Sequence, residues 1–145
     1  MKKYLILTLL AITVGLTSGC ITQLNSNIVP GSDLKGLKNI YVVRLPADKR
    51  GVERLIADRL SIMGYPATTG EKSSIPENVQ AIVTYQDKWQ WDITMYMIEL
   101  NVQIRHPKTE VVIATGHALR TSLARKSPTE MVEEVLTDIY KDLHK

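Results

Sequence analysis

The sequence predicts an α+β fold: a two-layer sandwich of order β-α-(β)-β-β-β-α, with two helices on one face of a mostly antiparallel sheet. Three observations predict it. Residues 52–63 carry an apolar stripe at helical spacing, directly after a β-type apolar run. Residues 79–120 hold three segments that alternate with period two and are separated by turn residues. A capped, periodic segment closes the chain. With 145 residues, 44% hydrophobic and 23% charged, the chain has ordinary globular composition and the length of one domain. This excludes a disordered chain, a collagen-like repeat and a multi-span membrane protein.

The elements follow in chain order. Residues 4–15 (YLILTLLAITVG) are an apolar run behind the basic start Met1-Lys2-Lys3. The run is shorter than the ~20 residues a helix needs to cross the hydrocarbon core, and it has the proportions of a signal peptide. Residues 21–38 (ITQLNSNIVPGSDLKGLK) show no sustained period and are expected to form a flexible tether with a turn at Pro30-Gly31. Such a segment spans roughly 23 Å as a coil and at most about 60 Å extended. Ile40 to Leu45 is a nearly unbroken apolar run, the pattern of an inner strand. Asp48 is placed to cap a helix whose Val52, Leu55, Ile56, Leu60 and Met63 share a stripe and which Gly64 stops. A short strand is expected over residues 65–69, then a loop over 70–78.

In the next two strands, Ala81, Val83, Tyr85, Trp89 and Trp91 share a face, as do Tyr96, Ile98, Leu100, Val102 and Ile104. Joining these faces places Lys88 opposite Glu99, Gln86 opposite Asn101 and Thr84 opposite Gln103. A tight turn at Pro107-Lys108 would then set Arg105 opposite Glu110 and bring Val111, Ile113 and Leu119 to the core face. Opposite charges thus meet twice, and a slip by one residue would turn every side chain over. The last helix begins at Ser127-Pro128-Thr129-Glu130, with a capping Ser, Pro at the first helical position and Glu three residues after the cap. Met131, Val135, Ile139 and Leu143 follow on one stripe, with Val132, Leu136 and Tyr140 beside it.

The net charge of +3 includes Lys2 and Lys3, and all acidic residues lie beyond residue 20. Without residues 1–19 the balance is close to neutral, so no nucleic-acid partner is expected. A single cysteine excludes an internal disulfide and a Cys-based zinc site. That cysteine, Cys20, follows Leu16-Thr17-Ser18-Gly19 at the end of the apolar run.

This ending resembles the lipobox of bacterial lipoproteins, with Thr17 where the commonest pattern has Leu. The resemblance implies cleavage after residue 19, acylation of Cys20 and permanent attachment to a membrane, since two or more acyl chains hold stably where one does not. Ile21, rather than Asp, after the cysteine implies sorting to the outer membrane, facing the periplasm. The organisation expected is a signal peptide over 1–19, a lipidated Cys20 with its tether over 20–38, and one α+β domain over 39–145. In element order, the mature chain is similar to compact outer-membrane lipoproteins of the LptE and LpoB type, and to the N-terminal domain of TolB.

No residue constellation points to catalysis. HExxH, GxSxG and a phosphate-cradling glycine loop are absent from the sequence. His106 is expected to close a turn, His117 to lie on the core face near Ile98, and His144 to sit in the C-terminal tail. Asp87, Asp92 and Glu99 are near one hairpin, but Glu99 has a partner in Lys88. No enzymatic activity, metal or cofactor is expected. The candidate partner or ligand surface is the hairpin cluster Trp89, Trp91, Tyr96 and Met97, which could equally cap the core beneath a helix end. Ala114, Gly116 and Ala118 form a small-residue strip on the opposite face, open to another chain or simply wet. Arg120, Arg125 and Lys126 are candidate contacts to anionic lipid, or part of a solvated loop. The expected function is that of a membrane-anchored, non-catalytic accessory protein that binds another envelope protein. The alternative is a binding module for envelope glycan or lipopolysaccharide.

Overall fold

The computed structural model describes residues 21–144. The expected signal peptide and Cys20 lie outside the described residues. Six strands form one sheet: β1 (Thr22–Ile28), β2 (Ile40–Val43), β3 (Ala67–Gly70), β4 (Ala81–Asp92), β5 (Thr94–Arg105) and β6 (Val112–Arg120). Helices α1 (Val52–Ile62) and α2 (Pro128–Tyr140) cover one face. The order across the sheet is β1-β6-β5-β4-β2-β3. β1, β6, β5 and β4 pair antiparallel, while β2 runs parallel to both β4 and β3. The expected α+β sandwich is therefore what the chain forms.

One strand was not expected. Thr22–Ile28 is not a tether but an edge strand, paired along its length with β6. Ser26 donates from its hydroxyl to the Asp138 carbonyl of α2 at 2.9 Å, and Ile28 packs on the core. Residues 29–39 then run to β2, and on the way Leu34 is fully buried. The stretch expected to hold the domain away from a membrane is instead part of the domain. Its Asn, Ser and Gln disfavour strands in isolation, and only the single neighbour β6 fixes its register.

Helix α1 is preceded by Gly51 at φ 74°, which has no side chain with which to cap it. Asp48 supplies the cap from three residues upstream. Its carboxylate accepts the N–H groups of Arg50 (2.6 Å), Gly51 (3.1 Å) and Val52 (2.7 Å), the orphan donors of a helix start. The Tyr85 hydroxyl of β4 also donates to it at 2.7 Å, tying the helix to the sheet. Burial raises the Asp48 pKa, but these hydrogen bonds outweigh it and hold the carboxyl below its usual range. At the other helix, Ser127 and Glu130 form the expected reciprocal capping box.

The β4–β5 register is as expected from Ile82 to Lys88, including a Lys88–Glu99 ion pair at 2.6 Å. Beyond Lys88 a bulge shifts the pairing by one residue, so Met97, not Ile98, enters the core. The β5–β6 register differs from the expected one throughout. A two-residue turn at Pro107-Lys108 needs φ > 0 where proline's ring fixes φ near −65°. The loop instead spans Pro107 to Glu110, closed by the Val111 carbonyl accepting from His106 N–H at 2.9 Å. Glu110 takes φ 55°. A second bulge near Arg105 completes the slip.

Ala114, Gly116 and Ala118 consequently face the helices, and Ile113 and Leu119 do not hold the buried positions. The close approach those small residues permit is made by α2 of the same chain. A Cβ on Gly116 would lie 2.7 Å from Val135 and 2.8 Å from Ile139. Arg105 meets Glu110 only at its backbone carbonyl, and the Glu110 carboxylate pairs with Lys72 at 3.4 Å.

Candidate functional site

The slip in β6 also reassigns the basic residues. Arg120 turns into the helix layer, where it is buried. It donates to Glu134 at 2.8 Å and to the carbonyls of Gln23 and Leu119. Lys126 pairs with the same Glu134. Neither presents a bare charge to a lipid surface, so the expected anionic-lipid patch of Arg120, Arg125 and Lys126 does not assemble.

The aromatic cluster divides as well. Met97 is fully buried and Tyr96 nearly so, which removes both from any partner surface. Trp89 packs against the core and is capped by the Arg50 guanidinium 4.1 Å over its ring. Its indole N–H donates to Asp87 at 2.5 Å. Trp91, two residues on, extends past the helices and is 68% exposed. Of the four residues only Trp91 offers a surface. His117 sits on the open face, 3.2 Å from Glu99 and 3.4 Å from Asn25, rather than in the core. His106 lies at its turn, where its Nδ1 accepts from the Lys108 and Thr109 N–H groups. Among the described residues no group of His, Cys, Asp and Glu is arranged to hold a metal ion.

Two surface features remain. The first is the end of the sheet where β4 turns into β5, β6 ends and β1 begins. Here Trp91, Ile93 (85% exposed), Met95, Leu123 (83%) and Ile21 (58%) are all open to solvent. The arrangement is fixed by a clamp. Arg125 donates to the Ser122 carbonyl (2.9 Å), the Thr94 hydroxyl (3.0 Å) and the Asp92 carboxylate (3.2 Å), and stacks over Tyr96 at 4.6 Å. Ser122 bonds Asp92 as well. Thr121 N–H donates to the Ile21 carbonyl at 3.4 Å, joining the chain start to the same unit. Ile93 holds φ 62°, a left-handed conformation that is a genuine outlier for a β-branched residue. Ile93, Met95 and Leu123 are not among the candidate surface residues of the sequence, and Ile21 enters there only as the residue after Cys20. For Ile93 and Leu123 the signal was there: apolar residues at turn positions, where polar ones are usual.

The second is a groove of about 390 Å³ on the open face of the sheet. Val43, Ile75 and Ile82 form its apolar end, and Gln86, Asn101 and Gln103 its amide-lined floor. Arg105 is fastened beside them by hydrogen bonds to Thr84 and Gln103. Hydrogen bonds from Lys88 and Asn101 hold the neighbouring Glu99 carboxyl below its usual range.

No helix among the described residues is long and apolar enough to cross a membrane. No family model matches the chain, and no curated protein matches it. Solved structures do. A PelC dodecamer from Paraburkholderia phytofirmans aligns at TM-score 0.61 and 12% identity over 82% of this chain and 97% of that one. A single-residue variant of PelC, also a dodecamer, aligns at TM-score 0.60 and 14% identity, with the same coverage of both chains. TolB from Acinetobacter baumannii aligns at TM-score 0.51 and 19% identity over 83% of this chain and 31% of the longer TolB chain. At these identities the likeness is one of fold: the chain folds as PelC and part of TolB do.

Proposed function

We propose that the chain is a lipid-anchored accessory protein of the bacterial envelope, held by Cys20 at the periplasm-facing side of the outer membrane and working by binding rather than catalysis. The observation that carries this reading is the start of β1. The sheet begins at Thr22, two residues after the lipobox cysteine and at the end of the molecule with the exposed apolar side chains. An acyl chain on Cys20 would hold that end against the bilayer and leave the groove facing sideways, open to a partner. The envelope setting of the lipobox and the sheet with its two covering helices support the same reading. The test is mass spectrometry of the exported protein together with membrane fractionation. Wild type is expected to carry thioether-linked diacylglycerol on Cys20 and to pellet with membranes, and Cys20→Ser to move to the soluble periplasmic fraction. A bare thiol on the exported wild type overturns the reading.

The groove favours a second reading, an envelope-glycan-binding module. Its amide rows match hydroxyl groups, while Trp89 and the 120–126 segment, once candidates for that role, are occupied within the fold. Titration with envelope glycan, followed by NMR of the Gln86, Asn101 and Gln103 side-chain amides, separates the two. Shifts confined to these groups select the glycan.

A further inference from the structure

We propose that the sheet end formed by Ile21, Trp91, Ile93, Met95 and Leu123 is a membrane-seating surface, inserted into the interface of the bilayer to which Cys20 is tethered. This deepens the anchored reading and rests on it. Four observations lead here. The first is composition: five apolar side chains stand open at one end, two of them at the tips of separate turns. Exposed apolar residues scattered over a surface mean little, but several gathered at one end of a sheet point to an interaction site.

The second is charge. The charged side chains of the tip, Asp92 and Arg125, are bonded to each other at 3.2 Å, and Arg125 is also stacked on Tyr96. The tip thus presents no bare charge to hydrocarbon, where one would be expensive. Trp91 beside it is the residue type that settles at the headgroup level.

The third is geometry. The Thr22–Arg120 row lies next to the row joining Gln23, Leu119 and Glu99 and is level with Ile98, so the hairpin from Thr94 to Met97 projects past it. At ~3.3 Å per residue that projection is roughly 13 Å. Two residues from Thr22 back to Cys20 reach at most about 7 Å. The tip therefore overshoots the acylation point by roughly 6 Å, within the ~5–10 Å depth to which interfacial segments bury their apolar face.

The fourth is rigidity. Arg125 and Ser122 bind the two turns to one another, and Ile93 is held at positive φ, so its side chain is presented by a fixed structure. Lipid and tip then form two separate attachments. A single tether leaves the domain free to rotate, whereas a seated tip fixes the strands along the membrane normal.

The experiment uses the full chain extracted from membranes and reconstituted into vesicles of phosphatidylcholine with bromine-labelled acyl chains. In a Trp89→Phe background, Trp91 is the sole tryptophan, excited selectively. A Lys108→Trp reporter in a background lacking both native tryptophans marks the far end of the sheet. Bromolipid is expected to quench Trp91 severalfold more than the reporter at 108. Ile93→Asp with Leu123→Asp should lower Trp91 quenching severalfold while mass spectrometry still finds Cys20 acylated. Adding anionic phosphatidylglycerol should leave the quenching unchanged.

Equal quenching at both ends with Cys20 acylated overturns the seating alone and leaves the anchored reading in place. Quenching that appears only with anionic lipid overturns it in favour of a headgroup contact. Trp91 shielded from both bromolipid and aqueous acrylamide overturns it in favour of a protein covering the tip. A bare Cys20 overturns the anchored reading and this inference together.

Discussion

Strand β5 ends in a hairpin at each end, and the two hairpins make a controlled comparison. Each places one non-glycine residue at positive φ: Ile93 at 62° and Glu110 at 55°. Each such residue costs about 1–2 kcal/mol relative to an unstrained one. The compositions differ. The β5–β6 turn is Pro107, Lys108, Thr109 and Glu110, with the Glu110 carboxylate paired to Lys72. The β4–β5 tip puts a β-branched apolar side chain at the same kind of strained position, at the end of the sheet where Trp91, Met95 and Leu123 are also exposed. A polar strained turn is explained by the chain reversal it makes. An apolar one gains nothing in water from facing outward, so what it faces must supply the reason.

The comparison depends on the sheet registers that send these hairpins to opposite ends, and Gly116 tests them most severely. Gly116→Val would drive a branched side chain into Val135 and Ile139, and is expected to destabilise by about 3 kcal/mol. Thr115→Val, one residue away on the open face, should change stability by less than about 0.5 kcal/mol. Urea unfolding of the two variants measures both. Equal effects would mean that β6 is paired one residue out of register and that the faces are reversed.

Asp48→Asn comes next. It removes a charge that accepts four hydrogen bonds, for an expected loss of about 2 kcal/mol at neutral pH. The pH dependence has a definite sign. The folded-state pKa of Asp48 lies below that of the unfolded chain, so its stabilisation is complete above the unfolded value, near pH 4, and is lost as pH falls through the folded value. Wild type should therefore lose stability on acidification below about pH 4 more steeply than Asp48→Asn. Parallel curves would remove Asp48 as the link between α1 and β4.

How far these features could be read in advance follows from where their causes lie. Both helices were legible, since Val52, Ile56 and Leu60 and the box Ser127–Glu130 are local patterns that the packing only confirms. The β4–β5 register was legible up to Lys88, because charge and apolar alternation agreed. The β5–β6 register was lost at Pro107. One turn-type assumption there reversed a whole strand, carrying His117, Arg120 and the Ala114–Gly116–Ala118 strip to the wrong faces. β1 was not legible at all, because an edge strand of Asn, Ser and Gln gets its order from β6 and not from its own composition. The site suffered most. Trp91 was visible as an aromatic, but the clamp that joins it to Leu123 and Ile21 is tertiary.

The two strained positions can be compared directly. Asn tolerates a left-handed backbone, so Ile93→Asn and Glu110→Asn should each stabilise the fold, by up to about 1 kcal/mol, with the larger gain at the β-branched residue. Bromolipid quenching of Trp91 should fall for Ile93→Asn and stay unchanged for Glu110→Asn. A stabilised Ile93→Asn in which Trp91 is quenched as in wild type would reduce the apolar tip to another chain reversal.

The smallest effect lies on the open face between the hairpins. Lys88 and Glu99 pair at 2.6 Å with the lysine largely exposed, and exposed pairs contribute only about 0.2–1 kcal/mol. A double-mutant cycle of Lys88→Ala and Glu99→Gln should return a coupling in that range. It should be complete above the ordinary glutamate value of about 4.5 and be lost as pH falls through the lower folded-state value, because the pair holds the Glu99 pKa down and protonation of Glu99 removes the attraction. Glu99 also meets His117 at 3.2 Å and Asn101 at 3.0 Å, so the cycle isolates Lys88 only if the Asn101 and His117 contacts survive in Lys88→Ala. A coupling well above 1 kcal/mol would show that Lys88, Glu99 and His117 act as one network, making the open face a more rigid platform than the exposure of its lysine implies.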